Sequence, residues 1–136
     1  MSWLEVIEKN LPTVSLAIPL LAAMGAGVVR VWNGTRRMVG GWVRAAAVRH
    51  LKLGTALLKC GECRLANEQF DLAAKKAKRI GDWALLSKAV NGRGVAQARL
   101  GNTEGAAGSF LQALAIDPGL DVARQNLQRV RSWAAV

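Results

Sequence analysis

The pattern of apolar and polar positions divides the chain into three stretches. Between Lys9 and Arg30 no residue is charged, and residues 11–29 read LPTVSLAIPLLAAMGAGVV. From Arg30 to about residue 46, Trp32, Met38, Val39, Trp42 and Val43 are interleaved with arginines. Beyond that the apolar residues take up helical spacing. Ala66, Phe70 and Ala73 share one face of a helix, as do Ala106, Phe110 and Ala113, and Leu120, Ala123, Leu127 and Val130 repeat the pattern near the C-terminus. β-Branched and aromatic alternation is scarce, so the expected class is all-α, packed through small residues rather than sheet.

The nineteen residues of the uncharged run would extend roughly 28 Å as a helix, close to the about 30 Å of a bilayer's hydrocarbon core. Asn10 is placed to cap it, and Pro12 is tolerated in a first turn. Trp3 and Trp32 flank the run, where amphipathic rings favour membrane interfaces. Thr13, Ser15, Pro19, Gly25 and Gly27 moderate its hydropathy, and Pro19 would kink a helix. Ala22 with Ala26, and Ala23 with Gly27, are small-residue pairs that let another helix approach. A single transmembrane helix is the expectation, with a buried helix of a soluble domain as its alternative. The net-acidic leader and the lack of a small-residue cleavage pattern argue against a cleaved signal peptide.

Charge sharpens this reading. The formal net charge of +10 is concentrated in residues 30–59, which hold seven bases and no acid. A basic block directly behind an apolar span predicts the N-terminus outside and the rest of the chain in the cytoplasm, with a bacterial inner membrane as the expected setting. Trp32, Arg36, Arg37, Trp42 and Arg44 suit an anionic lipid surface, where each cation contributes about 1 kcal/mol. Gly34, Gly40 and Gly41 are expected to weaken any helix there. Nucleic acid is the weaker partner, because no zinc finger, recognition helix or stacking pattern accompanies the charge. The expected organisation is an anchor over 1–30, a basic linker over 31–46 and a helical domain over 47–136.

That last region contains two copies of one pattern. Gly54, Gly61, Ala66, Phe70 and Ala73 are each matched forty residues later by Gly94, Gly101, Ala106, Phe110 and Ala113. Such a period marks a repeat array. The pattern resembles the tetratricopeptide repeat, a pair of antiparallel helices. In that family a Gly in the first helix allows close approach, a second Gly turns the chain, Ala, an aromatic and Ala follow on the second helix, and a Pro closes the unit. Pro118 closes the second copy, whereas Lys78 stands at the matching place in the first, whose second helix is expected to run on through AKKAKRIGD. Residues 119–136 would then supply a capping helix. The resemblance implies a concave groove lined by first helices, and carries over His50, Leu57, Arg93 and Gln97 as partner-binding residues. Two repeats fall short of the three or more that usually stand alone, so a partner, self-association or the membrane segment is expected to complete the fold.

Cys60 and Cys63 form a C-x-x-C at the first repeat turn. As a metal site the pair lacks two ligands, with His50 the chain's lone histidine. As a redox motif it lacks the preceding strand of a thioredoxin-like unit. It reads best as small residues flanking a turn. Gly92, Gly94 and Gly101 form no phosphate loop, since no Gly-Lys-Ser/Thr follows. Without a catalytic constellation or a cofactor motif, the sequence points to a non-enzymatic, membrane-anchored adaptor. Such a chain would be an accessory or assembly subunit of a larger membrane complex, bound to other protein subunits. The alternatives are a peripheral basic helical protein on nucleic acid or another acidic surface, and a metal or redox protein using Cys60 and Cys63.

Overall fold

A computed structural model describes the backbone of residues 3–135 and the side chains of residues 24–135, apart from residue 32. Among the described residues five helices follow one another: α1 Trp3–Lys59, α2 Cys63–Ile80, α3 Trp83–Arg99, α4 Thr103–Ile116 and α5 Asp121–Ala134. Among the described residues there is no strand. The chain divides into two compact units, Met1–Val39 and Gly40–Val136.

The turns that join α1 to α2, α2 to α3 and α3 to α4 are one repeated turn. Gly61, Gly81 and Gly101 have φ of 85°, 71° and 82°, a left-handed conformation open to Gly without a Cβ penalty. After each, the next N–H reaches back across the turn: Glu62 to Leu57 O at 2.9 Å, Asp82 to Ala77 O at 3.0 Å, and Asn102 to Gln97 O at 3.0 Å. This pattern satisfies carbonyls that a helix end leaves orphaned. The following helix is then started by a side chain where one is available. Asp82 accepts from the Leu85 N–H at 3.0 Å and Asn102 from the Gly105 N–H at 2.9 Å, caps each contributing about 1 kcal/mol. The forty-residue period is therefore two helix–turn units of twenty.

Two phenylalanines organise the core. Phe70 on α2 is 2 % exposed and its ring lies against Gly54 of α1 and Gly92 of α3. Phe110 on α4 is 1 % exposed and presses on Gly94 of α3. Ala66, Ala73, Ala106 and Ala113 are fully buried beside them, which brings the helices close enough for those rings to fill the gaps. Ala123, Leu127 and Val130 form the buried stripe of α5, which covers Phe110 and closes the array. α2 runs on as far as Ile80, so the expected extension holds for residues 74–80, while Gly81 turns the chain and Asp82 caps α3.

The structure departs from the sequence at the basic linker. α1 is helical without a break through Gly34, Gly40 and Gly41. None of these glycines meets another group within 4 Å of a built Cβ, so no packing contact requires them. Each costs about 1 kcal/mol relative to Ala, but a helix already nucleated gains a backbone hydrogen bond for every residue it adds. The compact second unit begins at Gly40, and within it Arg44 forms an ion pair with Asp82 at 2.7 Å. Among the described residues no helix is long and apolar enough to cross a membrane. The side chains of residues 11–23, most of the run expected to span, lie outside the described residues.

Candidate partner-binding groove

The four residues carried over as partner-binding point towards the second helices. His50 Nδ1 lies 2.8 Å from Gln69 Oε1 on α2. Leu57 packs on the cluster of Leu58, Ala66, Phe70 and Ala96. Arg93 donates to Gln112 Oε1 on α4 at 2.8 Å and sits 3.4 Å from Asp71 on α2. Ser109 Oγ donates to Gln97 Oε1 at 2.6 Å. Polar residues at these helix-facing positions thus bond across the helix pair. Asp71 is held below the ordinary carboxylate range, first by its hydrogen bond from Lys75 and further by Arg93, against the opposing effect of burial.

The open cleft lies elsewhere, between α3 and α5. It is about 250 Å³, with Val95, Ala98 and Arg99 on one wall, Asn126, Arg129, Val130 and Trp133 on the other, and Phe110 also lining it. Arg99 donates from Nη1 to the Leu58 carbonyl at 2.6 Å, which fixes its side chain and satisfies an acceptor in the last turn of α1. Asn126 donates to Asn91 Oδ1 at 3.2 Å and ties the two walls together. Trp133 is 58 % exposed at the rim. The lining holds two guanidinium groups and no carboxylate. Chemically it can take a carboxylate beside an apolar or aromatic side chain, because Arg forks match carboxylate geometry and Trp offers area at little entropic cost. The sequence hid this cleft because its walls are about thirty residues apart and α5 drew attention only as a cap.

Of the residues expected at a lipid surface, Arg36, Arg37 and Trp42 are exposed, Trp42 at 76 %. Arg44 is engaged with Asp82, whose carboxyl is held below its usual range first by that hydrogen bond and then by the Leu85 N–H. The side chain of Trp32 lies outside the described residues. Met24, Val28 and Val31 form an exposed apolar strip on α1 beside Gly27. Cys60 is exposed and Cys63 half-buried where α2 begins, and both are free thiols. No group of three His, Cys, Asp or Glu placed to hold a metal occurs among the described residues.

No protein-family profile matches the chain, and no curated protein does. Among solved structures it is similar to the TPR domain of Arabidopsis FLU, at 24 % identity over 66 % of this chain and 81 % of that one, with a TM-score of 0.63. With the repeated glycine turns and the paired helices around Phe70 and Phe110, this similarity establishes the fold: the helical array is of the tetratricopeptide-repeat type.

Proposed function

We propose that the chain is a non-enzymatic, membrane-anchored adaptor that binds other protein subunits through its helical array, as an accessory or assembly subunit of a larger membrane complex. The observation that carries the binding role is the cleft between α3 and α5, where Arg99, Arg129 and Trp133 surround an apolar floor with no acidic side chain in the lining. A partner segment with a carboxylate next to an apolar residue fits that chemistry. Arg93 and Gln97 serve binding indirectly by tying α3, one wall of the cleft, to α4, while His50 and Leu57 hold α1 against α2. Anchoring is supported by the uncharged run between Lys9 and Arg30, and the seven bases behind it favour the cytoplasmic side for the array. Arg36, Arg37 and Trp42 then meet anionic headgroups.

Purification of a C-terminally tagged chain in mild detergent tests the binding role. The expected outcome is a defined set of co-purifying subunits from wild type. Arg129→Glu, an exposed change outside the core, is expected to lose them with its helix content and melting temperature unchanged. Equal recovery of those subunits by the variant would remove the cleft from the account.

A further inference from the structure

Because the two copies are related by forty residues, each contact of the second copy has a counterpart position in the first. On α3, Arg93 bonds to Gln112 of α4 and approaches Asp71 of the preceding helix α2. Phe70 of α2 also lies so close to Gly92 that a Cβ there would come within 2.5 Å of its ring. That face of α3 is therefore covered by a second helix from the preceding copy. The counterparts of Gly92, Arg93 and Gln112 are Lys52, Leu53 and Leu72. No described helix covers them: Lys52 is exposed, Leu53 is 48 % and Leu72 39 % exposed. Leu65, 45 % exposed, lies two turns before Leu72 on the same face of α2. The other end of the array is closed by α5, which buries Ala123, Leu127 and Val130 and turns Arg124, Gln125 and Gln128 to solvent. One end is capped and the other presents leucines.

We propose that this open face of α1 and α2 docks an amphipathic helix of a different protein, with acidic residues flanking an apolar stripe, seated where a preceding second helix would stack. This surface is separate from the cleft between α3 and α5 and stands whether or not that cleft binds. The leucines call for an apolar stripe. The charges along these helices select the sign of its flanks: Arg49 lies one turn before Leu53, Lys76 one turn after Leu72, and Lys52 and Arg64 adjoin Leu53 and Leu65, against Glu62 and Glu68 as the exposed acids near them. A second copy docked face to face would oppose these cations to one another, which like-charge repulsion disfavours. The details differ from α3 in the same sense. Where α3 offers Gly92 to an aromatic ring, α1 offers Lys52 to a carboxylate. Where α3 offers Arg93 to an aspartate, α1 offers Leu53 to an apolar side chain.

The test uses the full chain in detergent micelles and a labelled synthetic 18-residue helix, with Leu at three- and four-residue spacing flanked by Glu. A matching peptide with Lys for Glu is the control, and binding is read by fluorescence anisotropy. The acidic peptide is expected to bind at least about tenfold more tightly than the basic one, a difference that double-mutant cycles at charged interfaces readily reach. Leu53→Gln with Leu72→Gln is expected to weaken it by a similar factor, whereas Arg129→Glu in the α3–α5 cleft leaves it unchanged. Leu72→Gln installs the residue that stands at the matching place in the second copy, and circular dichroism confirms folding. The exposed Lys52→Glu gives a second variant that leaves the leucines in place and is expected to narrow the preference between the two peptides. The proposal is overturned if the acidic peptide fails to bind, binds wild type and the leucine variant alike, or is lost with Arg129→Glu instead. It is equally overturned if sedimentation shows a dimer of the chain that the leucine variant dissolves.

Discussion

Single residues decide how closely these helices approach. At Gly94 an added Cβ would sit 2.6 Å from the Phe110 ring, and that ring is held on its far side by Leu127 and Val130. Gly94→Ala is expected to destabilise the array by about 1–3 kcal/mol, the usual cost of overpacking. Gly108, inside α4, meets nothing within 4 Å, so Gly108→Ala is expected to stabilise by up to about 1 kcal/mol through helix propensity alone. Denaturant melts of the two variants check the pair of opposite signs. Asp82 offers a titratable counterpart. Its carboxyl is depressed in the folded chain by Arg44 and the Leu85 N–H. A depressed carboxyl stabilises fully above its unfolded pKa of about 3.9 and loses that contribution as pH falls through the lower folded value. Asn caps a helix about as well as Asp, so Asp82→Asn isolates the ion pair with Arg44. The stability difference between wild type and Asp82→Asn is expected at neutral pH and to close as the pH drops below about 4. A pH-independent difference would show that the ion pair contributes nothing.

At the scale of elements, α5 is the piece on which the rest depends. It covers Phe110 with Leu127 and Val130 and supplies one wall of the cleft. A chain ending at residue 119 is expected to lose its sharp thermal transition, because an exposed stacking face removes the interface term that holds a short array together. Retention of the wild-type melting temperature would contradict that role. The helices of the array were legible in the sequence. Gly61 and Gly101, forty residues apart, mark two of the turns, Ala-Phe-Ala faces mark the second helices, and the spacing of Leu120, Ala123, Leu127 and Val130 marks the cap. The continuity of α1 was not legible, because propensity counts each of Gly34, Gly40 and Gly41 against a helix and cannot count the cooperativity of extending one. The cleft was legible least. Arg99 reaches a carbonyl forty-one residues away, and whether Arg93 faces a partner or a neighbouring helix depends on a rotation of less than one turn. Gly92 also passed as unremarkable in the sequence, although it receives Phe70 from the preceding copy. A forty-residue alignment conceals that contact, since Lys52 stands at the matching position.

For the whole molecule, the array and the N-terminal run answer different needs. The array supplies different surfaces: an end closed by α5, an open leucine-bearing end at α1 and α2, and a cationic cleft between α3 and α5. In the proposed reading the run from residue 11 to 29 would supply attachment, and the basic stretch behind it would set which side of the membrane the array occupies. An adaptor needs both, since fixing the array at a membrane raises its effective concentration towards subunits held in the same plane. Carbonate extraction of membranes from cells producing the chain, with protease protection of a C-terminal tag, tests this arrangement most directly. The account predicts that the chain stays in the membrane pellet and that its tag is cleaved only from the cytoplasmic side. Release of the chain into the carbonate supernatant would contradict the anchored adaptor, and would mean that residues 11–29 are covered by protein instead of lipid.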